Sequence, residues 1–351
     1  MMRRVALFAA LFSLLISAGP PVAAQQTMLD FNYGIPNSDQ TAIYVAQDLD
    51  LYGKVGLRPN FYLFQSGAPL LAGLKSESID VTTTGLAIMF ALGQHIPLKM
   101  LFWSANDGGA EGLVVNPKSG IKSYKDIVSG TRIAAASGTC AQVALYMISK
   151  KLGIDYAKLN VTNIPAPLFH NAFLSNSIDA GIAWSPYSFA LKEDGFPIVQ
   201  FDPAYTVPGG DCPRTTAVRP AFLSAHPEIA TKLIEVEVLA MEAIKKNPQL
   251  AINALMKHLS LTESVARADY ENNYLKRPTF EEQVSPSSPF SMTAKDGGLA
   301  KKLFLAGQAL YEAKSIPEPV PMSVIQDSID ASFLIAYEKS HKRLVLGKPA
   351  R

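Results

Sequence analysis

The chain has 351 residues, 48% hydrophobic and 18% charged. That is too apolar for a disordered chain and too polar for a protein with many membrane spans. Basic residues number 32 and acidic ones 30; without Arg3 and Arg4, which fall in a removable leader, the chain is neutral and offers no general field for nucleic acid or acidic membranes.

Residues 1–24 read as a secretory signal peptide. Arg3 and Arg4 make a positive start, residues 5–18 are uncharged and mostly apolar, and Gly19, Pro20 and Pro21 break the run. The run is shorter than the ~20 residues of a membrane span. Val22, Ala23 and Ala24 supply a cleavage site, so Gln25 is the expected mature N-terminus. The two cysteines, Cys140 and Cys212, lie far from that site, so a free periplasmic protein is expected, not a lipoprotein. Cysteines in that compartment are permitted to pair.

Strand and helix patterns then alternate. Strands are expected at 29–34, 57–64, 79–83 and 98–104, with helices at 41–51, 67–75 and 85–93 between them. A second series places strands at 112–115, 132–136, 161–164, 178–183, 196–200 and 215–218, and helices at 139–152, 168–175 and 185–192. The fold class is therefore α/β, with mainly parallel sheets covered by helices. After Pro220 the pattern turns helical. One helix starts at Pro227 and stops at Asn247-Pro248. Ser260 and Glu263 form a capping box for the next. The polar stretch 277–289, with three prolines, reads as a loop. Helices at 300–313 and 322–340 end the chain. Ser76-Glu77-Ser78-Ile79-Asp80 recurs as Ser175-Asn176-Ser177-Ile178-Asp179, which suggests two similar lobes.

The five histidines are scattered, and no nucleophile elbow, P-loop or dinucleotide fingerprint is present. No metal site is supported. Asp107 and Glu111 lie in a glycine-rich connector and read as solvated loop residues. What remains looks like a ligand cleft. Ser137-Gly138-Thr139, Thr82-Thr83-Thr84-Gly85 and Gln65-Ser66-Gly67 each carry a strand through hydroxyls and glycine into a helix. Such turns present N–H groups to an anion or carbonyl, or simply cap the helix. Strand C-terminal ends are where open α/β sheets bind ligands. Asn37 and Ser38, just past the first strand, join the candidate contacts. Trp103 and Trp184 also fall at strand ends, as an aromatic wall or as core packing.

The run from Ser119 to Asp126, then Gly130 to Ala134 and Ser137-Gly138-Thr139, carries a family resemblance. So do Ser177 to Tyr187, with its Trp184-Ser-Pro segment, and Leu223 to Glu228 with Asn247-Pro248. The mature chain resembles the periplasmic substrate-binding proteins of the sulfonate, taurine, nitrate and thiamine-precursor transporters. The resemblance implies a type II-like periplasmic binding protein fold, with two lobes joined by crossovers near 106–112 and 213–219. Lobe one would be residues 25–110 plus 219–351, and lobe two residues 111–218. It also brings Cys140 and Cys212 near enough to bond, stiffening the second-lobe wall, with Asp211 and Arg214 beside them. Arg214 then either forks onto a carboxylate, sulfonate or phosphonate or pairs with Asp211 or another acid. Asp211 facing the cleft would favour a ligand with an amine or ring N–H.

The implied function is a monomeric receptor that delivers a small polar or anionic organic molecule to an ABC permease with its ATPase. It calls for no catalysis, cofactor, metal, nucleic acid or membrane insertion after cleavage. A sensory module presenting a ligand to a membrane receptor is the alternative. A pyrimidine-precursor enzyme of related fold is another, though its Cys- and His-rich iron site is missing from this sequence.

Overall fold

A computed structural model describes residues 28–201 and 212–345; the signal segment and Asp211 lie outside them. The first lobe runs β1 (Leu29–Pro36), α1 (Thr41–Asp48), α2 (Leu51–Lys54), β2 (Leu57–Phe64), α3 (Gly67–Lys75), β3 (Val81–Thr84), α4 (Ala87–Gly93) and β4 (Lys99–Asn106). The second runs β5 (Gly112–Val115), β6 (Arg132–Ala134), α5 (Cys140–Leu152), β7 (Asn160–Thr162), α6 (Phe169–Leu174), β8 (Ala180–Ala183), α7 (Tyr187–Glu193) and β9 (Ile198–Phe201). The chain returns through β10 (Pro213–Val218) to α8 (Pro220–Ala225), α9 (Glu228–Lys246), α10 (Gln249–Leu259), α11 (Glu263–Asn272), α12 (Phe280–Val284), α13 (Gly298–Glu312), α14 (Met322–Ser328) and α15 (Ser332–Val345). Among the described residues no helix is long and apolar enough to cross a membrane.

The sheets have the orders β2-β1-β3-β10-β4 and β7-β6-β8-β5-β9. Four strands of each point one way, and the fifth, β10 or β5, runs against its neighbours. The sheets are thus mixed. The reason is the crossover: β4 ends at the cleft and only residues 107–111 separate it from β5. So short a link cannot carry the chain to the far end of the second sheet, so β5 starts at the cleft and runs away from it.

Because β10 pairs with β3 and β4, Pro213–Val218 belongs to the first sheet and not to lobe two. Most of the 213–219 expected as the return crossover is therefore strand of the first sheet.

The second sheet is covered on both faces. Leu113, Val115, Ile133 and Ile182 pack with Ala141, Leu145 and Ile148 of α5, while Val114, Ala134 and Ala183 pack with Phe169 and Phe173 of α6. Alternate residues of β5 therefore serve opposite layers, as the two-residue period of a strand requires. The sequence echo is structural as well. Glu77 and Asn176 both take positive φ, 58° and 54°. Ser78 Oγ and Ser177 Oγ each donate to the carbonyl five residues back, of Gly73 and Ala172. Asp80 and Asp179 each accept a neighbouring strand's N–H, at 2.9 Å and 3.0 Å.

Three helical expectations change. Ser260 ends α10 at φ 55°, and Thr262 caps α11 instead, accepting from the Val265 N–H. Stretch 277–289 contains α12, opened by a Thr279–Glu282 capping box. Its buried Gln283 donates to the carbonyl of Trp103 and accepts from its N–H, both at 2.8 Å, so an amide side chain completes the edge of β4. The last helix splits at Ile329, which bridges Met100, and the Asp330 N–H donates to the Met100 carbonyl.

Candidate functional site

Strand C-terminal ends and helix starts of both lobes meet in one cleft of about 490 Å³, its open mouth included. The first lobe contributes Pro36, Ser38, Ser66, Gly67 and residues 84–87; the second contributes Gly138, Thr139, Cys140, Trp184 and Ser185. The crossovers and the start of β10 add Asp107, Glu111, Cys212 and Arg214.

Of the residues singled out in the sequence, Ser38, Ser66, Thr84, Gly138, Thr139, Trp184 and Arg214 line the cleft. Asn37 sits at the lobe contact: its carbonyl accepts from Trp184 Nε1 at 3.1 Å and its Oδ1 from the Tyr187 hydroxyl at 2.6 Å. Gln65 is exposed. Thr83 faces into the sheet, in a hydroxyl chain between Tyr33 and Thr216. Trp103 is core: it is fully buried, its Nε1 donates to the Ala105 carbonyl, and its ring meets Phe290 edge-on. Ser137 does not line this cleft, and its N–H donates to Asn163 Oδ1 at 2.9 Å.

Two of the cleft-facing turns, one from each lobe, leave their helices without a side-chain cap. Neither Ser66 ahead of α3 nor Thr139 ahead of α5 makes a side-chain cap hydrogen bond; Thr139 Oγ1 donates backwards to Ala136. Both helix N-termini therefore leave first-turn N–H groups without a side-chain partner, the positive ends of the helix dipoles.

Behind them lies a buried charge cluster that the sequence did not announce. Arg214 is 4% exposed, and its Nη2 pairs with Asp39 at 3.0 Å and Asp107 at 3.2 Å. Asn273 Nδ2 reaches Asp39, Asp107 and the Ser185 hydroxyl, and Ser185 donates to Asp269. Glu111, read as solvated, is 1% exposed. Asp107 is also drawn inward, because the short crossover has no room to swing its acids into solvent. Burial pushes the Asp107 carboxyl up, with Asp39 adding to it and Arg214 opposing. Asp269 is raised well above the usual range, by burial and then Asp39. Glu111 is pushed up to about 8 by burial and the charge of Asp107. Burial works against the Arg214 charge, but Asp107 and Asp39 outweigh it and keep the guanidinium above its ordinary value. Asp39, Asp269 and Asn273 gave no sequence signal of their own. Asp39 also accepts the Thr41 N–H at 2.7 Å.

Cys140 and Cys212 are bonded, with Cα atoms 5.8 Å apart. The bridge joins α5 of the second lobe to the strand returning into the first sheet, so it ties the lobes together instead of stiffening one wall. Further contacts close the lobes. The Asp39 N–H donates to the Ser185 carbonyl, Gln142 to Ser315 at 2.6 Å, and Tyr146 to Glu312 at 2.6 Å.

Residues 37–251, well over half of the chain, match the family described as NMT1/THI5 like. The chain belongs to the NMT1/THI5-like family. This family member is 26% identical over 190 residues to a Bacillus subtilis (strain 168) protein named for binding aliphatic sulfonates. That match covers 53% of the chain and 56% of the relative, so the chain spans just over half the length of the curated relative it matches. In fold the NMT1/THI5-like chain is similar to the alkanesulfonate-binding protein SsuA from Xanthomonas axonopodis pv. citri, solved with MOPS bound. The TM-score is 0.71 at 18% identity, covering 87% of this chain and 99% of that one. It is also similar to the periplasmic nitrate-binding protein NrtA from Synechocystis PCC 6803, with a TM-score of 0.70 at 10% identity over 92% and 91%. At those identities the likeness is one of fold, a two-lobed α/β architecture.

Proposed function

We propose that this chain is the solute-binding receptor of an ABC importer. It captures a small polar or anionic organic molecule between its lobes in the periplasm, as a monomer, and delivers it to a permease driven by a separate ATPase. One observation carries the reading: two helix N-termini without side-chain caps, one from each lobe, open on the same cleft. An anionic group held between them satisfies donors from both lobes at once and so favours the closed form. The three relatives described above are named as binding proteins, which supports a binding role.

A thermal-shift panel of sulfonates, nitrate, aromatic carboxylates, pyrimidines and amino-acid derivatives tests this. A true ligand at a hundredfold excess over its Kd adds about 2.7 kcal/mol of stability. Trp184→Ala is expected to weaken that ligand's binding by about tenfold or more while lowering stability by only ~1–2 kcal/mol, because the indole is half-buried and spans the lobe contact. Unchanged affinity alongside a large drop in melting temperature would make Trp184 a packing residue. Turnover of a panel member would replace the receptor by an enzyme.

A further inference from the structure

Glu111 closes the crossover from β4 to β5, with its side chain in the cleft wall. The residue is 1% exposed and its Oε2 has no hydrogen-bond partner. One of its carboxyl oxygens lies within 4.8 Å of the sulfurs of Cys140 and Cys212, which line the same cleft. Those sulfurs are bonded to each other, so they supply neither a proton nor a thiolate. A buried carboxyl oxygen with no partner is costly to keep, and none of the described residues supplies one. The opposite charge character is supplied elsewhere in the cleft, by the helix N-termini behind Ser66 and Thr139.

We infer that Glu111 is a specificity-determining residue that holds a protonated nitrogen of the ligand, so that the preferred solute is a zwitterion whose anionic group sits on the two helix N-termini. This rests on the receptor reading above. The unpartnered carboxyl favours it over a plain anion. Asp39, Asp107 and Asp269 gather around the Arg214 guanidinium, whose Nη2 pairs with Asp39 and Asp107 while its Nε and Nη1 are left as donors for the anionic group. A zwitterion brings a positive charge to the unpartnered carboxyl, which a plain anion would leave without a partner. Burial first, and then the charge of Asp107 on the same crossover, raise the Glu111 carboxyl. An ammonium group beside it draws it into the ionised form, so binding near neutral pH releases a proton.

The test uses two sulfonates with the same number of heavy atoms: 3-aminopropanesulfonate, and butanesulfonate with a methyl in place of the ammonium. Calorimetric titrations of wild type and Glu111→Gln are run at pH 7 in two buffers of different ionisation heat. The aminosulfonate is expected to bind wild type about 30-fold tighter, as a charge-assisted hydrogen bond in a buried site allows. In Glu111→Gln that advantage falls to about threefold or less, and the buffer-dependent heat of proton release disappears. Butanesulfonate binding wild type as tightly as the aminosulfonate would overturn the assignment and leave the receptor reading standing. An advantage that persists in Glu111→Gln would overturn it as well. No heat from either probe, with both proteins melting as folded, would count against the cleft as a sulfonate site and against the Glu111 assignment together.

Discussion

Reducing the Cys140–Cys212 bridge is expected to lower stability by about 4 kcal/mol, on the loop-entropy scale for a separation of 72 residues, and to let the lobes part. The two effects share a cause. Cys140 starts α5 in the second lobe and Cys212 stands one residue before β10 of the first sheet, so the bond crosses the cleft. Both residues are buried, and a Cβ placed on Gly85 would lie 3.1 Å and 3.2 Å from the two sulfurs, so the first lobe packs directly on the bridge. The other ties beside it are weaker. The Lys150–Glu312 pair is about half exposed on both sides, and such pairs contribute roughly 0–1 kcal/mol. Thermal melts of wild type, Cys140→Ser, Cys212→Ser and the double variant measure the effect. Each single change should cost nearly as much as both together, because either removes the whole bond. X-ray scattering with and without reductant should show a larger radius of gyration once the bond is gone. Equal melting temperatures across all four proteins would mean that the bridge adds nothing to the energetics.

The elements that sequence patterning located well are those whose period reports a single local fact. Strand 57–64, helix 67–75 and strand 112–115 are found where they were expected, because alternation and helical spacing record which face is buried. The readings that changed depend on distant partners. Gln283 looks like a solvated loop residue until Trp103, 180 positions away, supplies the N–H and carbonyl it completes. Ile329 interrupts a helical pattern because Met100 offers a strand edge there. Residues 215–218 read as a strand, but nothing in them says which sheet they enter; β3 and β4 decide that. At the cleft, hydroxyl-and-glycine turns were legible because a strand-to-helix junction is a local pattern. The acid cluster was not. Asp39, Asp107 and Asp269 come from three separate segments, and the spacing of one segment carries no record of the others. Glu111 was misread for the same reason, since a glycine-rich connector is solvated unless two lobes close over it.

Stability should fall as pH rises from about 4.5 to about 8, and Glu111→Gln should remove a large part of that fall. Burial holds the Glu111 carboxyl near 8 in place of its ordinary 4.5. Across that window the folded protein keeps a proton that the unfolded chain has lost. Folding then takes up protons, so stability decreases with pH, and it levels off once the folded group also ionises. Asp107 and Asp269 are raised for the same reason and add to the slope with the same sign. Each pKa unit corresponds to about 1.4 kcal/mol, so Glu111 alone accounts for a loss on the order of several kcal/mol by pH 8. Glutamine keeps the shape and does not titrate. The variant should match wild type near pH 5 and exceed it by at least ~2 kcal/mol at pH 8. Denaturant midpoints of both proteins between pH 5 and 9 give the comparison. Parallel curves would mean that Glu111 does not carry the proton. If they diverge as expected, a residue that weakens the fold at neutral pH is retained in the cleft wall. Such a cost is expected where a site is kept ready for a ligand instead of being optimised for stability, and the stabilised variant should then be the weaker binder of an ammonium-bearing solute.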